Sequence, residues 1–206
     1  GEQRVVRGVR YVDDKGRRHV AQARMVILAA GAIETPRLLL ANRSKLAPQG
    51  IGNDAGQVGQ HFMETLSWMS MALHPEQQSS YAGLPADAIC WDHNRPDAIG
   101  GVVGGVRFYS ATLDADLMGP VAYATRMIEG WGAQHKQQLR QRFGHALAVG
   151  AIGESLPHPR SLVDLHPQDR DEHGMPLARI HTFVDEMACK RLQFMARTCR
   201  DLLKAA

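Results

Sequence analysis

Long apolar runs, signal-peptide features and clusters of like charge are all missing from this sequence. It contains no stretch of about 18 apolar residues, so it has no transmembrane helix. Its start, GEQRVVRGVRYVDDKG, has neither the apolar region nor the cleavage site of a signal peptide. The net charge is +3 over 206 residues, without a run of five like charges. These absences argue against direct membrane insertion and against binding to nucleic acid or to membrane surfaces.

Cysteine is scarce as well, with three residues and no Cys-x-x-Cys pair. Cys189 and Cys199 lie in one predicted helix, and a rise of about 1.5 Å per residue separates them by roughly 15 Å, too far for a disulfide. We therefore expect Cys90, Cys189 and Cys199 to be buried thiols rather than parts of a disulfide framework or a zinc site. The redox state of the compartment stays open.

Two strand patterns joined by a turn begin the chain. Arg4–Val12 (RVVRGVRYV) alternates apolar and polar side chains, and the turn DDKG connects it to RRHVAQARMVILAA. Met25–Ala29 does not alternate, and such a run is typical of a strand covered on both faces, usually in a parallel sheet. We expect a buried strand there.

Small residues form a corner after this strand, at Ala30, Gly31 and Ala32. We expect the next helix to begin with Thr35 as its N-cap and Pro36 at its first position, and to bury Leu38–Leu40. Ligands of doubly wound sheets lie beyond the carboxyl ends of strands and near helix N-termini. The corner therefore permits close approach of a flat ligand, or it merely lets strand and helix pack tightly. On the residues alone, both interpretations stay open.

The pattern changes near Thr65, where antiparallel strands separated by Pro, Gly and Asp turns are predicted. The six segments are TLSWMSMALHP, DAICWD, GGVVGGVRFYS, HALAVGAIGESLP, SLVDLHP and LARIHTFV. One polar helix, Gln134–Phe143, interrupts them, and a last helix, Asp185–Lys204, follows. That helix carries a core stripe of Ala188, Leu192, Met195, Cys199 and Leu202.

These patterns predict an α+β fold in three parts. Residues 1–63 form part of an α/β domain, residues 64–184 a mostly antiparallel sheet domain with covering helices, and residues 185–206 the C-terminal helix.

Other motifs are weak. Gly50-x-Gly52-x-x-Ala55 fits a loose dinucleotide fingerprint, but Pro48 argues against a strand before it. Ser155 lacks the second glycine of a nucleophile elbow. The ten histidines, among them His158, His166, His173 and His181, show no metal-ligand spacing, so we expect surface or hydrogen-bonded residues and no metal site.

The combination of VILAAGAIETPRLLL and GIGNDAGQVGQHFM resembles the glucose-methanol-choline (GMC) flavoprotein oxidoreductases. It is most similar to the branch that contains the large subunits of gluconate, sorbitol and fructose dehydrogenases. A fainter similarity continues through GESLPHPRSLVDLHPQDRDEHGMPLARI. Two positions depart from the family pattern: Glu64-Thr65 replaces its frequent Asp-His, and Arg160–Val163 (RSLV) replaces its Asn-Arg-Val.

The resemblance implies FAD in the intact enzyme, with the backbone of Ala30, Gly31 and Ala32 along the dinucleotide. It also implies hydride transfer to the flavin from a CH–OH group of a sugar, polyol or other alcohol. The family's GxGxxG unit and its catalytic histidine segment are both missing, so we expect an internal fragment that contains no catalytic residue, can lack FAD and is inactive alone. Other subunits or the rest of its own chain are the expected partners.

Two alternatives remain at this stage. The chain could be a non-catalytic module that binds a small molecule or a partner, or a non-flavin Rossmann enzyme that uses GIGNDAG. The compartment stays open between cytoplasm and periplasm, because any export signal would lie outside this sequence.

Overall fold

The computed structural model describes residues 5–82, 84 and 88–206. Arg4 and Asp87, which begin two of the predicted strands, lie outside these residues. The described residues form two compact units: residues up to Phe62 together with Pro157–Phe183, and Met63–Leu156 together with Val184–Ala206. Strands and helices alternate irregularly, and the strand pairs of the named strands are antiparallel, which confirms the predicted α+β class.

The first unit contains strands β1 (Gly8–Val12), β2 (Arg18–Gln22), β7 (Leu162–Arg170) and β8 (Pro176–His181), and helix α1 (Gly31–Ala41). The second unit contains strands β3 (Leu66–Leu73), β4 (Ile89–Cys90), β5 (Val106–Ser110) and β6 (Ala146–Gly153), and helices α2 (Pro120–Met127), α3 (Gly132–Arg142) and α4 (Glu186–Ala205).

The predicted first hairpin is confirmed. β1 pairs with β2 from Gly8↔Gln22 to Val12↔Arg18. The carboxylate of Asp13 closes the turn, because its Oδ1 accepts hydrogen bonds from the backbone N–H groups of Lys15 and Arg17 at 3.0 and 2.8 Å. A short polar side chain at the turn thus fixes the register of the hairpin.

The predicted buried strand at Met25–Ala29 is wrong. This segment is extended but belongs to no strand, and Met25 and Ile27 are 77% and 82% exposed. An apolar run becomes a buried strand only where neighbouring strands pair with it and layers cover it. Within the described part of the first unit, no strand pairs with this segment, and no parallel sheet forms.

Helix α1 begins five residues before the predicted start. Its N-cap is Ala30, and Pro36 lies inside the helix, where it is buried. Thr35 does not cap the helix with an accepting bond to its own first turn; its Oγ1 instead accepts from the N–H of Ala30 at 3.1 Å. Pro36 is the sixth residue of the helix, so it removes the hydrogen bond to the carbonyl of Ala32 and its ring crowds that carbonyl, which costs helix stability. The predicted N-cap and first position are therefore corrected.

Polar contacts fasten α1 to the β7–β8 hairpin. The guanidinium of Arg37 donates to Asp171 at 2.5 Å, to the carbonyl of Pro176 at 2.7 Å and to Glu34 at 2.9 Å. A second connection runs through Gly59, whose carbonyl accepts from the N–H of Val163 at 2.7 Å. A Cβ at Gly59 would lie 2.0 Å from the Val163 carbonyl oxygen, so only glycine fits.

These contacts place Pro157–Phe183 in the first unit. The strand patterns in the sequence place those residues within residues 64–184 instead, because the alternation in their strands matches that in the preceding ones. The six strands themselves are confirmed, but two of them, β7 and β8, form a sheet of their own.

The second unit is built on a four-stranded antiparallel sheet in the order β3-β6-β5-β4. Helix α4 packs on one face, where a core forms from Ile99, Val106, Phe108, Ala151, Met195 and Cys199. Part of the other face is covered by a second core, which includes Ala111, Leu117, Tyr123, Ala146 and Ala148. The side chains of paired strands thus alternate between these two cores.

Helices α2 and α3 differ in how well they follow the predictions. The polar helix α3 is confirmed, and none of its residues is buried. Helix α2 is not predicted by the sequence analysis; Pro120 stands at its start and Tyr123 is its buried residue. The Tyr123 hydroxyl donates to the carbonyl of Arg142, which joins the two helical segments.

Helix α4 confirms most of its predicted stripe. Asp185 caps the helix by accepting from the N–H of Ala188 at 2.6 Å. Ala188, Met195 and Cys199 are buried, and Leu192 packs against the core, whereas Leu202 is 44% exposed. The expectation of three buried thiols is wrong for two of them, because Cys90 and Cys189 are exposed. Cys90 lies in the edge strand β4 of the sheet, and Cys189 lies outside the buried stripe of α4.

Candidate functional site

The corner at Ala30, Gly31 and Ala32 is exposed and stands at the start of α1. Gly31 has a φ of +80°, a left-handed conformation that favours glycine. Apart from Gly31 itself, its two chain neighbours and the nearby backbone of α1, none of the described heavy atoms lies within 4 Å of the position that a Cβ at Gly31 would occupy. The backbone angle therefore requires glycine here, and tight packing between strand and helix does not.

Backbone donors are available at this corner. The first N–H groups of an α-helix have no partner inside the helix, and the dipole makes that end positive. Ala30 has no side-chain acceptor to cap them, so the N-terminus of α1 lacks a side-chain cap. Glu34 adds a negative charge in the first turn, but it is paired with Arg37 at 2.9 Å. This end of the helix can accept an oxygen-rich group at its backbone.

An exposed apolar segment leads into the corner. Met25, Ile27 and Leu28 are all exposed, and they precede Ala30 in an extended conformation. The segment and the helix start together present an apolar strip next to backbone donors. Such a combination suits a ligand with a flat apolar part and a polar part.

Arg37 holds the start of α1 in place. Its side chain is only 11% exposed and joins the helix to Asp171. The hydrogen bond from Arg37 is the main cause that lowers the pKa of Asp171, and the backbone N–H of Met175 acts in the same direction. The corner is therefore positioned by a charged contact between α1 and the β7–β8 hairpin.

The alternative nucleotide motif has the wrong surroundings. Gly50, Gly52 and Ala55 lie in a series of turns, with no strand before them and no helix after them in the described residues. A dinucleotide fingerprint requires a strand, a glycine turn and a helix in that order. The geometry thus argues against a Rossmann site at GIGNDAG.

The remaining sequence candidates are dispersed. Ser155 follows β6, and each of the four histidines has a local partner: His158 packs on the Phe183 ring at 4.5 Å, His166 accepts from the Asp169 N–H at 2.9 Å, His173 lies 3.7 Å from Glu172 and His181 lies 3.4 Å from Asp164. Among the described residues, no group of three His, Cys, Asp or Glu side chains could hold a metal ion. The partners of these four histidines do not include Ala30, Gly31 or Ala32.

Sequence reasoning missed several polar residues of the second unit. Arg191 is wholly buried on α4. Its spacing from Ala188 and Met195 places it on the core stripe, so the helical periodicity could have identified it. Arg107 and Tyr109 project from β5 on the side opposite to Val106 and Phe108, which the alternation VRFYS indicates.

Burial and then a hydrogen bond to Asp114 raise the pKa of Tyr109 to about 12, so its phenol stays protonated at neutral pH. Burial likewise raises the pKa of Cys199 to about 11, so this thiol is unreactive.

The described helices include none that combines the length and the apolar character needed to cross a membrane.

No protein-family profile matches the chain. The chain is similar to the 2-methyl-1,2-propanediol dehydrogenase of Mycolicibacterium austroafricanum, with 30% identity over 177 residues that cover 84% of this chain and 32% of that protein. The gluconate 2-dehydrogenase flavoprotein of Pantoea cypripedii is 24% identical over 212 aligned positions, which cover 100% of this chain and 34% of the relative. The fructose dehydrogenase large subunit of Gluconobacter japonicus is 22% identical over 97% of this chain and 36% of its own length.

The chain therefore spans about a third of the length of the curated relatives it matches. Their names identify dehydrogenases of alcohols and sugars, and one of them names a flavoprotein. The predicted relation to oxidoreductases that act on alcohol and sugar groups is therefore confirmed.

Proposed function

We propose that this chain is an internal part of an FAD-dependent oxidoreductase of the GMC type, which acts on a CH–OH group of a sugar, polyol or other alcohol. The observation that carries the proposal is the exposed corner Ala30–Gly31–Ala32 at an uncapped helix start. It coincides with the segment whose sequence resembles that family, in a chain related to alcohol and sugar dehydrogenases.

The residues at the corner fit a flavin dinucleotide. Gly31 leaves open space where a side chain would stand, and Ala30 and Ala32 carry only a methyl group. Ala30, Gly31 and Ala32 would therefore let the dinucleotide approach their backbone, with the first N–H groups of α1 as donors. FAD, when bound, supplies the hydride acceptor for alcohol oxidation. The chain's own part is to position this cofactor and to exclude water from one side of it.

The three parts predicted from the sequence take different roles in this proposal, and Pro157–Phe183, within the second part, packs with the first unit. Residues 1–63 contribute to the flavin domain, residues 64–184 contain most of the substrate domain, and the C-terminal helix supports its sheet. We place the catalytic base outside these residues, so the chain by itself binds flavin weakly and does not oxidise alcohols. The remainder of its own polypeptide, or other subunits, would complete the site.

A flavin titration tests the site. The purified chain should carry little flavin absorbance, and added FAD should shift the backbone amide NMR signals of Gly31 and Ala32. Gly31→Ala should weaken FAD binding at least tenfold, about 1.4 kcal/mol, because the left-handed backbone and the open space are both lost. Dye reduction with gluconate, sorbitol or fructose should be absent.

Gly16→Ala is the matched control. Gly16 has a φ of +75° and, like Gly31, no described atom within 4 Å of its Cβ position, so both variants carry similar backbone strain. If Gly16→Ala weakened FAD binding as much as Gly31→Ala, or if FAD shifted only signals far from the corner, the site assignment would be wrong. A chain that purifies with about one flavin and oxidises alcohols would contradict the incomplete-site interpretation instead.

A further inference from the structure

One face of the four-stranded sheet is only partly covered. Residues paired across antiparallel strands project to the same face, so the face opposite to α4 carries the rows Ser67–Ile152–Arg107 and Met69–Gly150–Tyr109–Ile89. Around Ala146 and Ala148 of β6, the core that contains Leu117 and Tyr123 covers this face. Away from that core, Ser67 is exposed, and Ile89 and Trp91 are 49% and 51% exposed. We call Ser67, Ile89, Trp91, Arg107, Tyr109 and Ile152 the open sheet face.

Arg107 is a cation without an acid partner on this surface. Its guanidinium lies over the Trp91 ring, 5.3 Å from the ring centroid. Stacking of this kind leaves the N–H edge of the guanidinium free for a further acceptor. The described residues provide it with no ion pair, whereas Arg37 and Arg179 each donate to an aspartate within 2.6 Å.

The floor of the open sheet face is flat and mostly apolar. Gly150 has no side chain, and the Tyr109 ring occupies the space above it, since a Cβ there would lie 2.6 Å from a ring atom. Ile152 lies beside them in the row of Arg107. Asp114 lies near this floor, and its carboxylate accepts the hydrogen bond of the Tyr109 hydroxyl. The surface thus combines an aromatic wall, an apolar floor and the positive charge of Arg107, which has no ion-pair partner among the described residues.

We propose that the open sheet face binds a small hydroxylated carboxylate, with Arg107 holding the carboxylate group and Trp91 packing against the carbon chain. A guanidinium matches a carboxylate with two parallel hydrogen bonds, which fixes the orientation of the ligand. Amines are disfavoured, because like charges would meet at Arg107. The proposal uses the second unit alone, so it stands independently of the flavin assignment.

Three six-carbon probes that differ at one end test the charge preference: D-gluconate, D-sorbitol and 1-amino-1-deoxy-D-glucitol. Titrated into the ¹⁵N-labelled chain, gluconate should shift the indole N–H signal of Trp91 and the Nε–H signal of Arg107. It should bind about tenfold more tightly than sorbitol, because a hydrogen bond to a charged group contributes that factor or more. The amine should bind most weakly.

Substitution of Arg107 separates this site from general charge attraction. Arg107→Gln should reduce gluconate binding to the level of sorbitol, and Arg107→Lys should restore part of the preference. Arg95→Gln is the control, because it removes the same charge from the same unit at a side chain that is 80% exposed. Circular dichroism verifies that each variant is folded.

Several results would overturn the proposal. Equal binding of the three probes, an equal loss in Arg95→Gln and Arg107→Gln, or no shift of the Trp91 indole signal with gluconate each contradict it. The flavin titration above does not involve these residues, so either assignment can fail without the other.

Discussion

At the scale of single residues, Arg191 is the unusual feature of the second unit. Its side chain is wholly buried, and one nitrogen, Nη1, donates to the carbonyl of Val103. Nε and Nη2 are also buried, with no hydrogen-bond partner among the described residues. A guanidinium that is buried without a counter-ion costs stability, because the loss of hydration is not offset.

This burial predicts the effect of replacing Arg191. Arg191→Met keeps the apolar stem and removes the unpaired donors, so the free energy of unfolding should be unchanged or higher, by up to roughly 4 kcal/mol. Arg191→Ala should be less stable than the methionine variant by about 2 to 5 kcal/mol, because it leaves a cavity. Urea unfolding followed by circular dichroism measures both. A methionine variant several kcal/mol less stable than the parent would show that the buried donors are satisfied after all.

At the scale of elements, the contact between α1 and the β7–β8 hairpin depends on a titratable group. Since Arg37 lowers the folded pKa of Asp171, the stabilisation is fully present above the ordinary value of 3.8 and is lost as the pH falls through the lower folded value. The melting temperature should therefore fall with acidification over that range. The variant Asp171→Asn should be less stable at neutral pH, and its melting temperature should lack the part of the pH dependence that comes from Asp171.

Glu172→Gln provides the comparison for that measurement. Its carboxylate neighbours Asp171 in the chain but is 87% exposed and lies 3.7 Å from His173, so its removal should leave the acid profile nearly unchanged. If both variants flattened the profile equally, the pH dependence would come from overall charge rather than from the contact with Arg37.

The same elements show how far the sequence predicts this fold. Alternation identifies the hairpin and the sheet strands because it reports which face of a strand is covered, and Asp185 is found as the boundary of α4 because capping is local. Met25–Ala29 is mispredicted, because an apolar run reports hydrophobicity and cannot report whether neighbouring strands are present. The early start of α1 is missed because Gly31, rather than Thr35, turns the chain into the helix.

At the scale of the whole molecule, the discontinuous division into units has a long-range cause. Pro157–Phe183 joins the first unit through Gly59–Val163 and Arg37–Asp171, contacts between residues more than a hundred positions apart. Both contacts are hydrogen bonds of backbone or charged groups, so the periodicity of apolar residues in the sequence cannot predict them. The candidate corner was predictable by residue type and family resemblance, whereas Arg107 and Trp91 come together only once the strands are paired.

The exposed segment at Met25–Leu28 sets an expectation for the behaviour of the chain in solution. An extended, unpaired and apolar segment is a template for intermolecular strand pairing. We expect the purified chain to self-associate as its concentration rises, and Ile27→Lys to reduce this without lowering the melting temperature, since Ile27 makes few contacts at 82% exposure. Light scattering after size-exclusion chromatography measures the mass.

Val121→Lys is the control, because it changes an equally exposed apolar residue, at 80%, on helix α2. Self-association that responds equally to both substitutions would reflect the added charge rather than strand pairing through Met25–Leu28.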